Sequence, residues 1–186
     1  MAERDVKGAK EGTRTVLVRA GLPPEWWPLA GKHFVFSLNI EKFNSELMSP
    51  WAARHGGKEF WGMKIPFGAL CHFRPVEPKR ELLPEFAPRA IPGIFLGYFL
   101  LPGGRWKGDY LVADLDDSRT GRNIHIQRIK EVVQEEGDLK YTLRADRDKE
   151  LFTVPLEDVA NSIPDENPEM SNVVENLPGP SAGSRI

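Results

Sequence analysis

Cysteine occurs once in the 186 residues, at Cys71, which excludes an intrachain disulfide and any zinc site built on paired cysteines. The residue reads as a small buried hydrophobe rather than a reactive thiol. Long apolar runs are missing too: nothing approaches the roughly 20 consecutive apolar residues of a membrane-spanning helix. The opening MAERDVKGAKEG has neither the apolar stretch nor the cleavage site of a secretion signal. The expectation is an intracellular chain with no membrane partner, the nucleus being left open. Histidine is scarce, and His33, His55, His72 and His125 show no paired metal-ligand spacing. Ser37, Ser45, Ser49 and Ser118 have no glycine-flanked elbow around them. PGGRWKGD, residues 102–109, lacks the glycine-lysine-serine ending of a phosphate-binding loop. Neither metal nor cofactor is expected.

A strong surplus of one charge is also absent, since the formal net charge is −2. The charge is unevenly spread, however. Residues 151–186 carry six acids and one base, which leaves 24 bases and 21 acids in residues 1–150, a net of +3. A mildly basic body with an acidic tail is compatible with nucleic-acid binding without requiring it.

What is present falls into segments. Thr13, Val16, Leu17 and Ala20 recur at helical spacing, and Gly21 with Pro23 supplies a stop. PPEWWPLAGKHFVFSLN predicts a second helix with Trp26, Leu29, Ala30, His33, Phe34, Ser37 and Leu38 on one stripe, Pro28 being tolerable only near its start. At that spacing the tryptophans read as core. Residues 41–63 lose periodicity and predict a connector with one short helix.

From Ile65 the pattern changes to short β-branched and aromatic runs, GALCHFRPV, IPGIFLGYFLL, GDYLVADLDD and NIHIQRIKEVV, divided by turn residues. A further strand is expected at 139–144. Asp114, Asp116 and Asp117 with Gly121 read as a hairpin turn rather than a metal site. The fold expected is α+β: N-terminal helices (1–40), a connector (41–63), a small antiparallel barrel (64–145) and an acidic, largely disordered tail (146–186).

Several of these stretches resemble the integrase region of copia-type retrotransposon polyproteins. EFAPRAIPGIFLGY is similar to that family's proline-arginine-alanine run leading to GIFLGY, through Pro88, Arg89, Ala90 and Gly93–Tyr98. IPFGALCHFRPV resembles an upstream strand through Phe67 and Gly68. The segment after Lys107 resembles a downstream hairpin through Gly108, Tyr110, Asp114, Thr120 and Gly121. EGTRTVLVRAGLPPEWWPLA resembles the helical end of the catalytic core, through Arg14, Thr15, Leu17, Ala20–Pro23, Trp27 and Ala30, and Asn39 extends the match. The resemblance implies an SH3-like barrel behind the tail of an integrase core. It also implies a catalytic site of three carboxylates holding two divalent metals. The third would fall on Glu3, beside a matching Arg4, whereas Asp5 and Val6 depart from the pattern. The first two would lie well upstream, outside these residues. The chain is therefore expected to be non-catalytic, and a reading frame continuing upstream into two aspartates would restore Glu3 to a catalytic role.

Binding remains. Arg74, Lys79, Arg80, Arg89, Arg105, Lys107, Arg119 and Arg122 collect at turns and strand ends, where they could meet phosphates. Trp106 either stacks on a base or folds over the barrel end. The leading expectation is weak, sequence-independent nucleic-acid binding associated with DNA integration, with nucleic acid or other parts of an integrase polyprotein as partners. Two alternatives stay open: a module gripping an extended or proline-rich peptide in a groove of Tyr98, Phe99, Trp106 and Tyr110, and a decayed open reading frame without selected function.

Overall fold

The computed structural model describes residues 2–41, 43, 48–77, 80–81, 84–86, 88–121 and 124–153. Residues 1–149 form one compact unit. The second begins at Glu150, and its described residues, 150–153, are the last of a helix. No helix among the described residues is long and apolar enough to cross a membrane.

Helix α1 spans Ala2–Ala20, with Glu3 and Asp5 in its first turn and Arg19 in its last, each opposing the local end of the helix dipole. It stops where the sequence predicts. Gly21 takes φ +70°, its N–H bonds the Val18 carbonyl, and the Leu22 N–H reaches back to Leu17. This pair of bonds satisfies two terminal carbonyls, and the left-handed residue it needs costs glycine little. A 3-10 turn, Pro24–Trp26, leads into α2, Trp27–Glu41, where Pro28 is the second residue and lacks only an N–H that would be orphaned. The buried residues of α2 are Ala30, His33, Phe36 and Ile40. Of the expected stripe, Ala30 and His33 are inside, but Leu38 is 42% exposed, and Trp27, expected in the core, is 64% exposed. The stripe shifts because α2 is gripped from two directions: Phe34 lies against Gly12 of α1, while Phe36 and Ile40 enter the core beneath the sheet.

The connector holds the expected short helix, α3, Pro50–Arg54, capped by Ser49, whose Oγ accepts the Ala52 N–H at 3.1 Å. It is more than a connector, since Trp51, Phe60 and Ile65 all belong to the main core.

The strands are β1 (Leu70–Phe73), β2 (Ile91–Leu101), β3 (Arg105–Asp114), β4 (Ile126–Ile129) and β5 (Val132–Val133), joined antiparallel in the order β4-β3-β2-β1-β5. The run read from GIFLGY is buried without a break from Gly93 to Tyr98. Its residues alternate between two cores: Ile94 and Leu96 face Leu17, Leu22 and Ala30 from the helices, whereas Phe95 meets the aromatic core. Register slips between Phe95 and Gly97 and between Tyr98 and Leu100 bend the β2–β3 pair.

Only Lys130 and Glu131 separate β4 from β5, yet these strands lie at opposite ends of the order. Three Cα steps reach at most about 11 Å, whereas the edges of a flat five-stranded sheet stand about 19 Å apart. The sheet is therefore strongly coiled, and its ladder stays open between β4 and β5.

Three local expectations are corrected. The turn at Asp114–Gly121 is a helix, α4 (Leu115–Thr120), with Asp114 Oδ1 accepting the N–H groups of Asp116 (2.9 Å) and Asp117 (3.3 Å) and Gly121 closing it at φ +64°. NIHIQRIKEVV is split into β4 and β5. The strand expected at 139–144 gives way to helix α5, Thr142–Thr153, rich in Leu, Arg, Lys and Glu and anchored by buried Leu143. The boundary expected at 145/146 thus falls inside α5, and the remainder of the tail, 154–186, lies outside the described residues.

Candidate nucleic-acid interface

The segment that leaves β1, Arg74–Glu77, is pinned beside β4 by one hydrogen bond: the Val76 N–H donates to Oε1 of buried Gln127 at 2.9 Å. Burial alternates along β4, so Gln127 and Ile129 point inward while Ile126 and Arg128 point out. A groove of about 460 Å³ results, lined by Arg74 and Arg80 from one side and Arg128 and Lys130 from the other. Glu77 and Glu131 also line it.

Two of its four bases are engaged. Arg80 pairs with Glu77 three residues away. Arg128 Nη2 donates to Asp109 Oδ2 at 2.6 Å, and its guanidinium lies 4.0 Å from the centre of the Phe99 ring. Arg74 and Lys130 have no ion pair among the described residues, which makes them the bases of this groove open to a phosphate. Of the four, Arg74 and Arg80 belong to the set expected from sequence, and Arg128 and Lys130 do not. The alternation of this stretch is legible in the sequence; what is not is the Val76–Gln127 bond that sets Arg74 across from Arg128 and Lys130.

The other expected contacts are dispersed. Arg89 is exposed at the bend before β2. Arg105 and Lys107 are exposed at the start of β3. Arg119 is tied into the fold, its Nε donating to Asp146 Oδ2 at 2.8 Å and so joining α4 to α5. Lys79 and Arg122 lie outside the described residues.

Trp106 is no stacking platform. It is 6% exposed, its Nε1–H donates to the Asp109 carbonyl at 2.7 Å, and Phe60, Trp61 and Tyr110 cover its ring. The aromatic groove expected for a peptide is likewise filled from within. Tyr98 and Tyr110 are 7% and 5% exposed beneath the connector. The Tyr98 hydroxyl donates to the Met63 carbonyl at 2.9 Å and accepts the Ile65 N–H at 3.2 Å, while the Met63 N–H donates to Tyr110 Oη at 3.0 Å. Burial raises the Tyr98 phenol pKa and keeps the hydroxyl protonated as a donor.

The remaining titratable groups of the core are structural in setting. His33 is buried, and its Nε2 lies 3.0 Å from the Ile65 carbonyl, which fixes the tautomer that donates from Nε2. Burial lowers its pKa, the bond to Ile65 partly opposing the shift. Burial pushes the Cys71 thiol up to about 12. Glu3 is exposed in the first turn of α1. Among the described residues no three His, Cys, Asp or Glu side chains converge as a metal-holding group. Comparison with known protein families, curated proteins and solved structures returns no match.

Proposed function

We propose that the chain is a non-catalytic segment of a copia-type retrotransposon integrase whose coiled sheet is an SH3-like barrel with weak, sequence-independent affinity for nucleic acid. The observation that carries the binding reading is the groove where Arg74 and Lys130 stand open beside an Arg128 held rigid by Asp109 and Phe99. Fixed and open cations along one strip suit a polyanionic backbone, because every phosphate met releases condensed counterions. The barrel reading draws support from the two-residue link that brings the sheet edges near one another. The integrase reading draws support from the order of the motifs: the AGLP sequence ends α1 and GIFLGY becomes the doubly buried strand β2.

The test is fluorescence anisotropy on a short labelled DNA duplex. Binding is expected in the range of about 1 to 100 μM at physiological salt. With three phosphates engaged, it should weaken about 40-fold between roughly 50 and 200 mM salt. The charge reversal Arg74→Glu with Lys130→Glu should abolish most of it. An affinity indifferent to salt, or a wild-type affinity in that double variant, would overturn the assignment.

A further inference from the structure

A second surface, sharing no residue with the basic groove, gathers apolar side chains on the outside of the molecule. The tight turn at Gly21–Pro23 sets α1 and α2 side by side in opposite directions, and a groove of about 820 Å³ opens along them. Val6 and Val18 of α1 and Trp27 and Val35 of α2 line it, 55%, 54%, 64% and 49% exposed. Single exposed hydrophobes are ordinary, but several along one trough mark a contact surface. A trough between two antiparallel helices is the shape a third helix fills.

Gly31 lies along this trough, one turn from Trp27 and one from Val35. Glycine in a helix interior is destabilising relative to alanine, so its presence needs a cause. At Gly12 the cause is internal, since a Cβ there would collide with the Phe34 ring. At Gly31 it is not: an added Cβ would come no closer than 3.4 Å to Thr13 Oγ1. The chain's own packing has room for a β-carbon at 31, so the depth left there is open to an outside occupant.

Charge identifies the occupant. Lys10, Arg14, Arg144 and Arg147 line the groove, and no acid does. A neighbouring hollow shares Trp27, Gly31 and Val35 and adds Lys32 and Arg54, again without an acid. The acids of α5 nearest in sequence are already engaged, Asp146 by Arg119 and Asp148 by Arg144. Like-charged rims oppose pairing of two copies through this face. A bilayer, being flat, would not reach the depth at Gly31.

We propose that the α1–α2 groove docks an acidic amphipathic helix from a partner protein, its apolar ridge lying over Gly31 and its carboxylates facing Lys10, Arg14 and Arg147. Titration of the full chain with two synthetic helices of about five turns tests this, both carrying leucine at i, i+3, i+4 and i+7, one with glutamate and one with lysine elsewhere. The glutamate peptide should bind and shift the resonances of Val6, Val18, Trp27 and Val35, with the lysine peptide weaker by on the order of tenfold or more. Gly31→Leu should remove that binding while leaving the circular-dichroism spectrum and the affinity for DNA unchanged. Lys10→Glu with Arg14→Glu should reverse the preference between the peptides, and this variant decides the matter if Gly31→Leu disturbs the fold. Equal affinities, no binding of either peptide, or full binding by a folded Gly31→Leu protein would overturn the proposal. So would self-association that shifts the same resonances, or capture by phosphatidylserine vesicles in place of the peptide.

Discussion

Tyr98 and Met63 are joined by a partly buried hydrogen bond, the phenol donating to the carbonyl at 2.9 Å across 35 residues of chain. The same oxygen accepts from Ile65, so one hydroxyl fixes an extended stretch of connector over the aromatic face of the sheet. What reads in sequence as a spacer is thus a layer of the core.

Replacing that hydroxyl tests the layer. Tyr98→Phe keeps the ring and leaves the Ile65 N–H and the Met63 carbonyl without this partner, which should cost about 1–3 kcal/mol. Urea unfolding measures it, and a change near zero would mean that the tyrosine does not hold the connector.

His33 makes stability depend on mild acidity. Its folded pKa lies below the unfolded value of 6.5, so below that pH the unfolded chain binds more protons than the folded one. Stability is therefore complete above about pH 6.5 and falls as pH drops toward the folded pKa, by up to about 1.4 kcal/mol per pH unit within that window. Unfolding midpoints measured between pH 7.5 and 5 should decline in the wild type and flatten in His33→Gln. An equal decline in both would assign the effect elsewhere.

Arg128 is half exposed, but the Asp109 carboxylate it holds is 6% exposed. Arg128→Met should therefore destabilise by about 1–3 kcal/mol, because a buried acceptor loses its charged donor. Asp109→Asn in the same background should recover part of the loss, since the neutral amide is cheaper to bury unpaired. A double-mutant cycle in denaturant reads both values. Additive losses would show that the two side chains act independently.

The stretches legible in sequence are those where a local rule coincides with the tertiary one. Gly21 followed by Pro23 is a local helix stop, and the run Gly93–Tyr98, short, apolar and aromatic, fits a strand covered on both faces. The misread stretches are those decided at a distance. Asp114 to Gly121 carries residues equally suited to a turn or a capped helix, and anchoring of Leu115 in the helical core selects the helix. Residues 139–144 have a strand-like alternation, overridden when Leu143 inserts beside Leu22. Trp106 could not be assigned from its basic neighbours alone, because what buries it, Phe60 and Trp61, comes from a segment without periodicity. Likewise Arg74 and Lys130 meet only because a side-chain amide on β4 pins the chain leaving β1.

The pairing of β1 with β5, His72 with Val133 and Phe73 with Val132, bears on how the molecule is made. A ribosome delivers β1 about sixty residues before its outer neighbour, an interval of roughly 3 to 12 seconds at ordinary rates of elongation. Through that interval the nascent strand carries an open row of peptide groups that any other extended segment could join. Val132 and Val133 are the smallest strand in the sheet, and their arrival covers the edge at His72 and Phe73, while the Leu70 N–H waits for the Lys140 carbonyl.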